Sequence, residues 1–162
     1  MSNIDEIDNF WELTTKLAIS GQPAMSELEW LADAGYQTVV NLGLDNADYS
    51  LVDEDSWVKQ LGMAYIAIPV DFKKPQSREF LRFLNSMNLQ QEKKILVHCE
   101  NNQRASVFSV LYLVMSAQVP QIDGWNMIHE FWEPNLIWES FFYQELNNYY
   151  KVKDDLCESV IS

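Results

Sequence analysis

Cysteine is scarce in this 162-residue chain: there are two, Cys99 and Cys157. Two cysteines build no disulfide framework, and a chain of this composition is expected in a reducing, cytoplasmic compartment. Histidine is equally sparse. His98 and His129 have no CxxC or HExxH companion, which excludes a metal-ligand cluster read from motif spacing. Positive charge is also short, with 11 Lys and Arg against 24 Asp and Glu, a formal net charge of -13. Such a chain lacks the positive face that nucleic acid requires and is repelled by anionic membrane surfaces. No apolar run reaches the roughly 18 residues that a membrane helix needs. Residues Met1 to Phe10 are acidic and carry neither a basic n-region nor an apolar h-region, so no signal peptide is expected there.

What is present fits one globular domain. Hydrophobic residues make up 48% and aromatic residues 13%, enough for a core without disulfides or metal. The expected domain runs from residue 1 to 153, followed by a tail, 154–162, that is expected to fray. The basic residues are unevenly placed. Seven of the eleven lie between Lys73 and Arg104, opposed there by Glu79, Glu92 and Glu100, a net +4 inside an acidic chain. A local positive field of this kind suits a small anionic ligand. Arg78 and Arg82 fall on the exposed side of a helical pattern and read as solvated surface.

Apolar runs alternate with amphipathic stretches. Strands are expected at Leu17–Ser20, Thr38–Leu42, Ala64–Ile68 and Ile95–Val97. Helical spacing follows Pro23 and recurs over Leu51–Leu61, Gln76–Met87 and Arg104–Met115. Such alternation predicts right-handed crossovers and a parallel sheet covered on both faces. Beyond residue 118 only helices are expected. Trp138, Phe141, Phe142, Leu146, Tyr149 and Tyr150 repeat at three and four and form an aromatic face for core packing.

The chemistry is concentrated in His98-Cys99-Glu100-Asn101-Asn102-Gln103-Arg104-Ala105-Ser106. A strand ends at a cysteine, a short loop follows, and an arginine opens a helix. Ligands of open parallel sheets bind at the carboxyl ends of the strands. The loop's N–H groups and the positive end of the helix suit an anion and favour a thiolate. Arg104 offers a planar fork for two oxygens. Asn101 and Asn102 tolerate the left-handed backbone angles that a tight loop calls for.

This loop resembles the signature of the cysteine-dependent protein tyrosine and dual-specificity phosphatases. More closely, the chain resembles a small bacterial family of phosphatase-like proteins, DUF442. Ile19-Ser20-Gly21-Gln22-Pro23, Thr38-Val39-Val40-Asn41-Leu42 and Ile68-Pro69-Val70-Asp71 carry that likeness beyond the loop, over roughly residues 15 to 118. The resemblance implies a three-layer α/β/α fold with a four-stranded parallel sheet of order 1-4-2-3, the cysteine strand being central.

It also implies roles. Cys99 is the nucleophile, and Arg104 with the loop amides of Glu100, Asn101, Asn102, Gln103 and Arg104 holds the phosphate. His98 fixes the loop, Ser106 donates to the departing thiolate, and Asp71 is the general acid. No cofactor or metal is implied, and the partner is a phosphoester or a bound phosphate or sulfate. Asp71 alternatively caps the segment after it, with Lys73 and Lys74 drawing in an anion or solvating the loop. Asp45 and Asp48 are turn residues or alternative acids. His129 reads as a packed or surface residue, and nothing brings Cys157 to Cys99. The loop departs from the general phosphatase pattern in two ways. Four residues, not five, separate Cys99 from Arg104, and Ala105 precedes Ser106. Rhodanese-type sulfurtransferases use a cysteine loop of about this shorter length. A persulfide carrier and a non-catalytic anion-binding module therefore stand beside the phosphatase. The physiological substrate and the oligomeric state are not legible in the sequence.

Overall fold

The computed structural model describes residues 3–161; Met1, Ser2 and Ser162, which belong to the terminal segments considered above, lie outside them. Five strands form one mixed sheet in the order β1-β2-β5-β3-β4. They are β1 Trp11–Thr14, β2 Leu17–Ser20, β3 Thr38–Asn41, β4 Ala64–Ala67 and β5 Ile95–His98. The last four pair in parallel, with β5 between β2 and β3. These four strands occur where the sequence places them and in the expected order. The four-stranded, all-parallel sheet is corrected on one point: β1 adds a fifth, antiparallel edge strand on β2, Trp11 opposite Ile19. The sequence gives little sign of β1 because an edge strand needs no buried β-branched run. Its residues are exposed or half-buried, and its hairpin turns through Thr15-Lys16, without an Asn-Gly signal.

The central strands are short and buried on both faces, which explains their Val, Ile and Leu content. Their side chains alternate between two cores. Leu17, Ile19, Val40, Ile95 and Val97 face one, and Ala18, Val39 and Leu96 face the other. Helices α1 (Met25–Asp33) and α2 (Glu54–Gln60) cover the second core with Leu28, Leu31 and Val58. Helices α3 (Ser77–Leu89), α4 (Gln103–Met115), α5 (Gln121–Ile128) and α6 (Leu136–Ile161) cover the first. Every residue of α4 from Arg104 to Val114 is buried, which is why its sequence is apolar all round.

The aromatic stripe of α6 packs as expected. Trp138, Phe141, Phe142 and Leu146 are buried, and Phe141 stacks on Phe108 of α4 with ring centres 5.6 Å apart. From residue 154 to 161 the expected tail is part of α6, with no glycine or proline after Pro134 to stop the helix. The side chains from Lys151 to Glu158 are all exposed. No helix among the described residues is long and apolar enough to cross a membrane.

One consequence of the register matters for function. Ser20, His98 and Asn41 lie abreast at the carboxyl ends of β2, β5 and β3. The segments leaving all three strands therefore emerge along one edge of the sheet.

Candidate active site

Cys99 is the first residue beyond β5 and is almost fully buried. Its loop turns at once into α4. Asn102 takes the left-handed conformation (φ 68°) and stands as the residue before the helix, so of the two expected asparagines one supplies the left-handed turn. Its amide donates to the carbonyl of Asn9 at 2.8 Å, tying the loop to the segment before β1. The Asn102 side chain makes no capping bond to α4. Its first N–H groups lack intrahelical acceptors and face outward from the positive end of the helix. The N–H of Ala105 donates to Cys99 Sγ at 3.4 Å.

The loop is held from outside by the segment leaving β2. The Gln22 N–H donates to the carbonyl of Glu100 at 3.1 Å, and Gly21 pairs with Asn101 as an isolated antiparallel bridge. Gly21 is required by close approach: a Cβ there would stand 2.8 Å from the Glu100 carbonyl oxygen.

Arg104 is buried beside this loop. Its Nη1 donates to the carbonyl of Val70 at 2.8 Å and its Nη2 to the Tyr49 hydroxyl at 3.4 Å. The guanidinium lies about equally far from the rings of Tyr49 and Phe72, 5.8 and 6.0 Å from their centres. Glu100, half in solvent, approaches Nη2 to 4.0 Å. The Nε of Arg104 is buried and meets no acceptor among the described residues. A buried guanidinium with an unpaired N–H is costly unless an anion accepts from it.

Asp71 follows Val70, so the Arg104 contact places it at this edge. Its side chain is exposed and accepts from the Lys73 N–H at 2.9 Å. Phe72 next to it is pinned by the long C-terminal helix: the Trp138 indole donates to its carbonyl at 2.9 Å. Lys73 and Lys74 are exposed and line a shallow surface cleft with Leu136 and Ile137. Arg78 and Arg82 are solvent-exposed. Asp45 lines a cleft beside Asp53 and Glu54, and Asp48 is an exposed residue of the same loop.

Ser106 is corrected. Its hydroxyl donates to the Gln103 carbonyl at 2.7 Å and accepts from the Trp132 indole at 3.0 Å. Among the described residues these are the bonds of the hydroxyl, and the N–H that meets the Cys99 sulfur is that of Ala105. His129 bonds to Glu133 at 3.2 Å and sits edge-on to Trp125 at the surface. Cys157 is exposed on α6, a free thiol like Cys99.

His98 is fully buried, and its Nε2 meets Glu54 at 2.8 Å. Glu54 also accepts from the Gln22 amide and from Tyr65, and the Tyr65 hydroxyl accepts from Asn41 at 3.0 Å. Burial raises the Glu54 carboxyl, but His98 and the hydrogen bonds outweigh it and hold the group below the ordinary carboxylate range. Glu54 is therefore ionised and accepts only, so the shared proton sits on His98 Nε2. Burial and the Glu54 charge push Tyr65 up to about 12, leaving it a neutral donor. Sequence reasoning missed Glu54, Tyr49 and Tyr65. Glu54 sits in the run Asp53-Glu54-Asp55, which reads as an acidic first turn, and nothing local marks the middle acid as the buried one.

Comparisons with known proteins bear on the family and the fold. The family described as "DSP-PTPase phosphatase fused to NAD+ Kinase" matches residues 5–119. A DUF442 protein from Shewanella putrefaciens is 28% identical, with a TM-score of 0.83 over 90% of this chain and 96% of that one. Tk-PTP in its active form shares the fold at 22% identity, with a TM-score of 0.71 over 86% of this chain and 97% of that one. Among curated proteins, a beta-lactamase hydrolase-like protein of Xylella fastidiosa is 27% identical over 111 residues. That match spans 67% of this chain and 26% of the relative, so the chain corresponds to about a quarter of that protein's length.

Proposed function

The chain belongs to the phosphatase family described as "DSP-PTPase phosphatase fused to NAD+ Kinase", and from that membership we propose that it hydrolyses phosphomonoesters through Cys99. The observation that carries the reading is the buried Arg104, with its Nε unpaired, beside a buried cysteine whose sulfur accepts from an N–H at the start of α4. In the first step the Cys99 thiolate attacks phosphorus, forming the S–P bond as the P–O bond to the leaving group breaks. Arg104 and the loop amides from Glu100 to Arg104 take up the charge on the equatorial oxygens. Asp71 gives its proton to the leaving oxygen. Water then attacks the cysteinyl phosphate, passing a proton to the Asp71 carboxylate and releasing inorganic phosphate and the Cys99 thiolate. His98 holds the strand end from which the loop departs. The substrate is a phosphotyrosine-type or small phosphoester, and the reaction needs Cys99 as a free thiol, the state that a reducing cytoplasm maintains.

One observation favours a second reading, a persulfide carrier of the rhodanese type. The loop is one residue short of the general phosphatase pattern. A single experiment separates the two. Purified protein is assayed with para-nitrophenyl phosphate and, in parallel, with thiosulfate and cyanide, using Cys99→Ser as control. Phosphate release lost in Cys99→Ser supports the phosphatase. Thiocyanate release alone supports the sulfurtransferase. Silence in both, with phosphate still bound, leaves a non-catalytic anion module.

A further inference from the structure

We propose that Glu54 is the positioning residue of the Cys99–Arg104 loop, its buried carboxylate holding both flanks of that loop at once. The proposal rests on the reading of the loop as an anion site. On one flank Glu54 accepts from Nε2 of His98, the residue before Cys99, at 2.8 Å. On the other it accepts from the side chain of Gln22, whose own backbone N–H donates to the carbonyl of Glu100, the residue after Cys99. That contact turns the Glu100 carbonyl outward, away from where an anion's oxygens would need N–H groups. Carbonyl oxygens facing an anion repel it, so the orientation of this one peptide bears directly on affinity.

Tyr65 is the third donor to Glu54 and is itself held by Asn41, which stands abreast of His98 on β3. The network thus joins the ends of β2, β3 and β5 and the body of β4 through one carboxylate. Glu54 is 4% exposed and lies at the first position of α2, while its neighbours Asp53 and Asp55 face solvent. Burying one acid of three, in reach of three donors on three different segments, is expensive unless every bond is made. The arrangement concentrates that cost beside Cys99.

The test measures inorganic phosphate binding by its protection of Cys99 against iodoacetamide, in the full chain, for wild type, Glu54→Ala, Glu54→Gln, Gln22→Ala and Glu54→Ala/Gln22→Ala. Glu54→Ala is expected to weaken phosphate at least tenfold, about 1.4 kcal/mol, and Gln22→Ala several-fold. Glu54→Gln, which keeps an acceptor for Gln22 and loses the charge facing His98, is expected to fall between wild type and Glu54→Ala. The double variant is expected to be no worse than Glu54→Ala alone, because both act through the same peptide. Unchanged phosphate protection in a folded Glu54→Ala protein overturns the proposal, as do strictly additive effects. If Glu54→Ala does not fold, the partly exposed Gln22→Ala decides, and an unchanged affinity there also overturns it. If wild type binds no phosphate, the anion reading is what fails. Positioning is then read from the backbone amide NMR shifts of residues 98–105, which move in Gln22→Ala if it holds and stay in place if it does not.

Discussion

At the residue scale the site depends on a few positions where one atom decides the geometry. Gly21→Ala would press a Cβ to within 2.8 Å of the Glu100 carbonyl oxygen, a backbone atom that cannot swing aside. The expected outcome is a loss of about 1–3 kcal/mol in stability together with loss of phosphate binding, read by chemical denaturation and by phosphate titration. Asn102→Ala forces a left-handed backbone (φ 68°) on a residue that avoids it and removes the bond to Asn9. It should cost about 1–3 kcal/mol, and Asn102→Gly should recover part of it. Glu145 of α6 illustrates the opposite balance to Glu54. Its carboxyl is buried and accepts from Ser77, yet burial dominates and holds it above the ordinary carboxylate range. A raised carboxyl contributes stability that is present below its unfolded value and lost as pH rises through its folded value. Glu145→Gln is therefore expected to raise the melting temperature at neutral pH and to leave it unchanged below about pH 4, which a pH series of thermal melts checks. Glu54, held low, has the reverse sign: its contribution is present at neutral pH and lost on acidification through its folded value.

At the scale of elements, α6 does more than fill the core. Its Trp138 is fully buried against Phe108 and Phe141, and its indole N–H donates to the carbonyl of Phe72, between Asp71 and Lys73. Trp132, just before α6, reaches Ser106 in the first turn of α4 and packs near Phe72. The C-terminal helix thereby braces the segment that carries Asp71 and whose Val70 carbonyl holds Arg104. Trp138→Phe keeps much of the apolar contact and removes the N–H. It is expected to cost about 1–2 kcal/mol and to lower kcat on para-nitrophenyl phosphate more than it raises KM. A fall in stability with kcat unchanged would assign Trp138 to packing alone. The aromatic repeat announced a packed face, but the hydrogen bond from its first member to the acid segment is a tertiary contact between residues 66 positions apart.

At the scale of the whole molecule, the packed body ends before the chain does. The side chains from Lys151 to Glu158 are exposed although α6 continues past them. Ending the chain after Lys153 is expected to shift the melting temperature by no more than about 2 °C, whereas ending it before Leu146, which is buried, should prevent folding. The sequence by itself determined the parallel core, because strands buried on both faces must be short, apolar and β-branched, and helices between them must be amphipathic. It also marked the cysteine loop, because chemistry that needs a thiol, a guanidinium and a helix start within six residues is local. Strand β1 stayed hidden because an exposed edge demands no hydrophobic pattern. The displacement of Ser106 behind Ala105 was legible, but its bonds to Gln103 and Trp132 were not, because Trp132 reaches it from 26 residues away. Only the tertiary structure selected Glu54 from its acidic neighbours. Burial and partnership are set by Gln22, Tyr65 and His98, which are 32, 11 and 44 residues away in sequence and meet it only when the sheet aligns the ends of its strands.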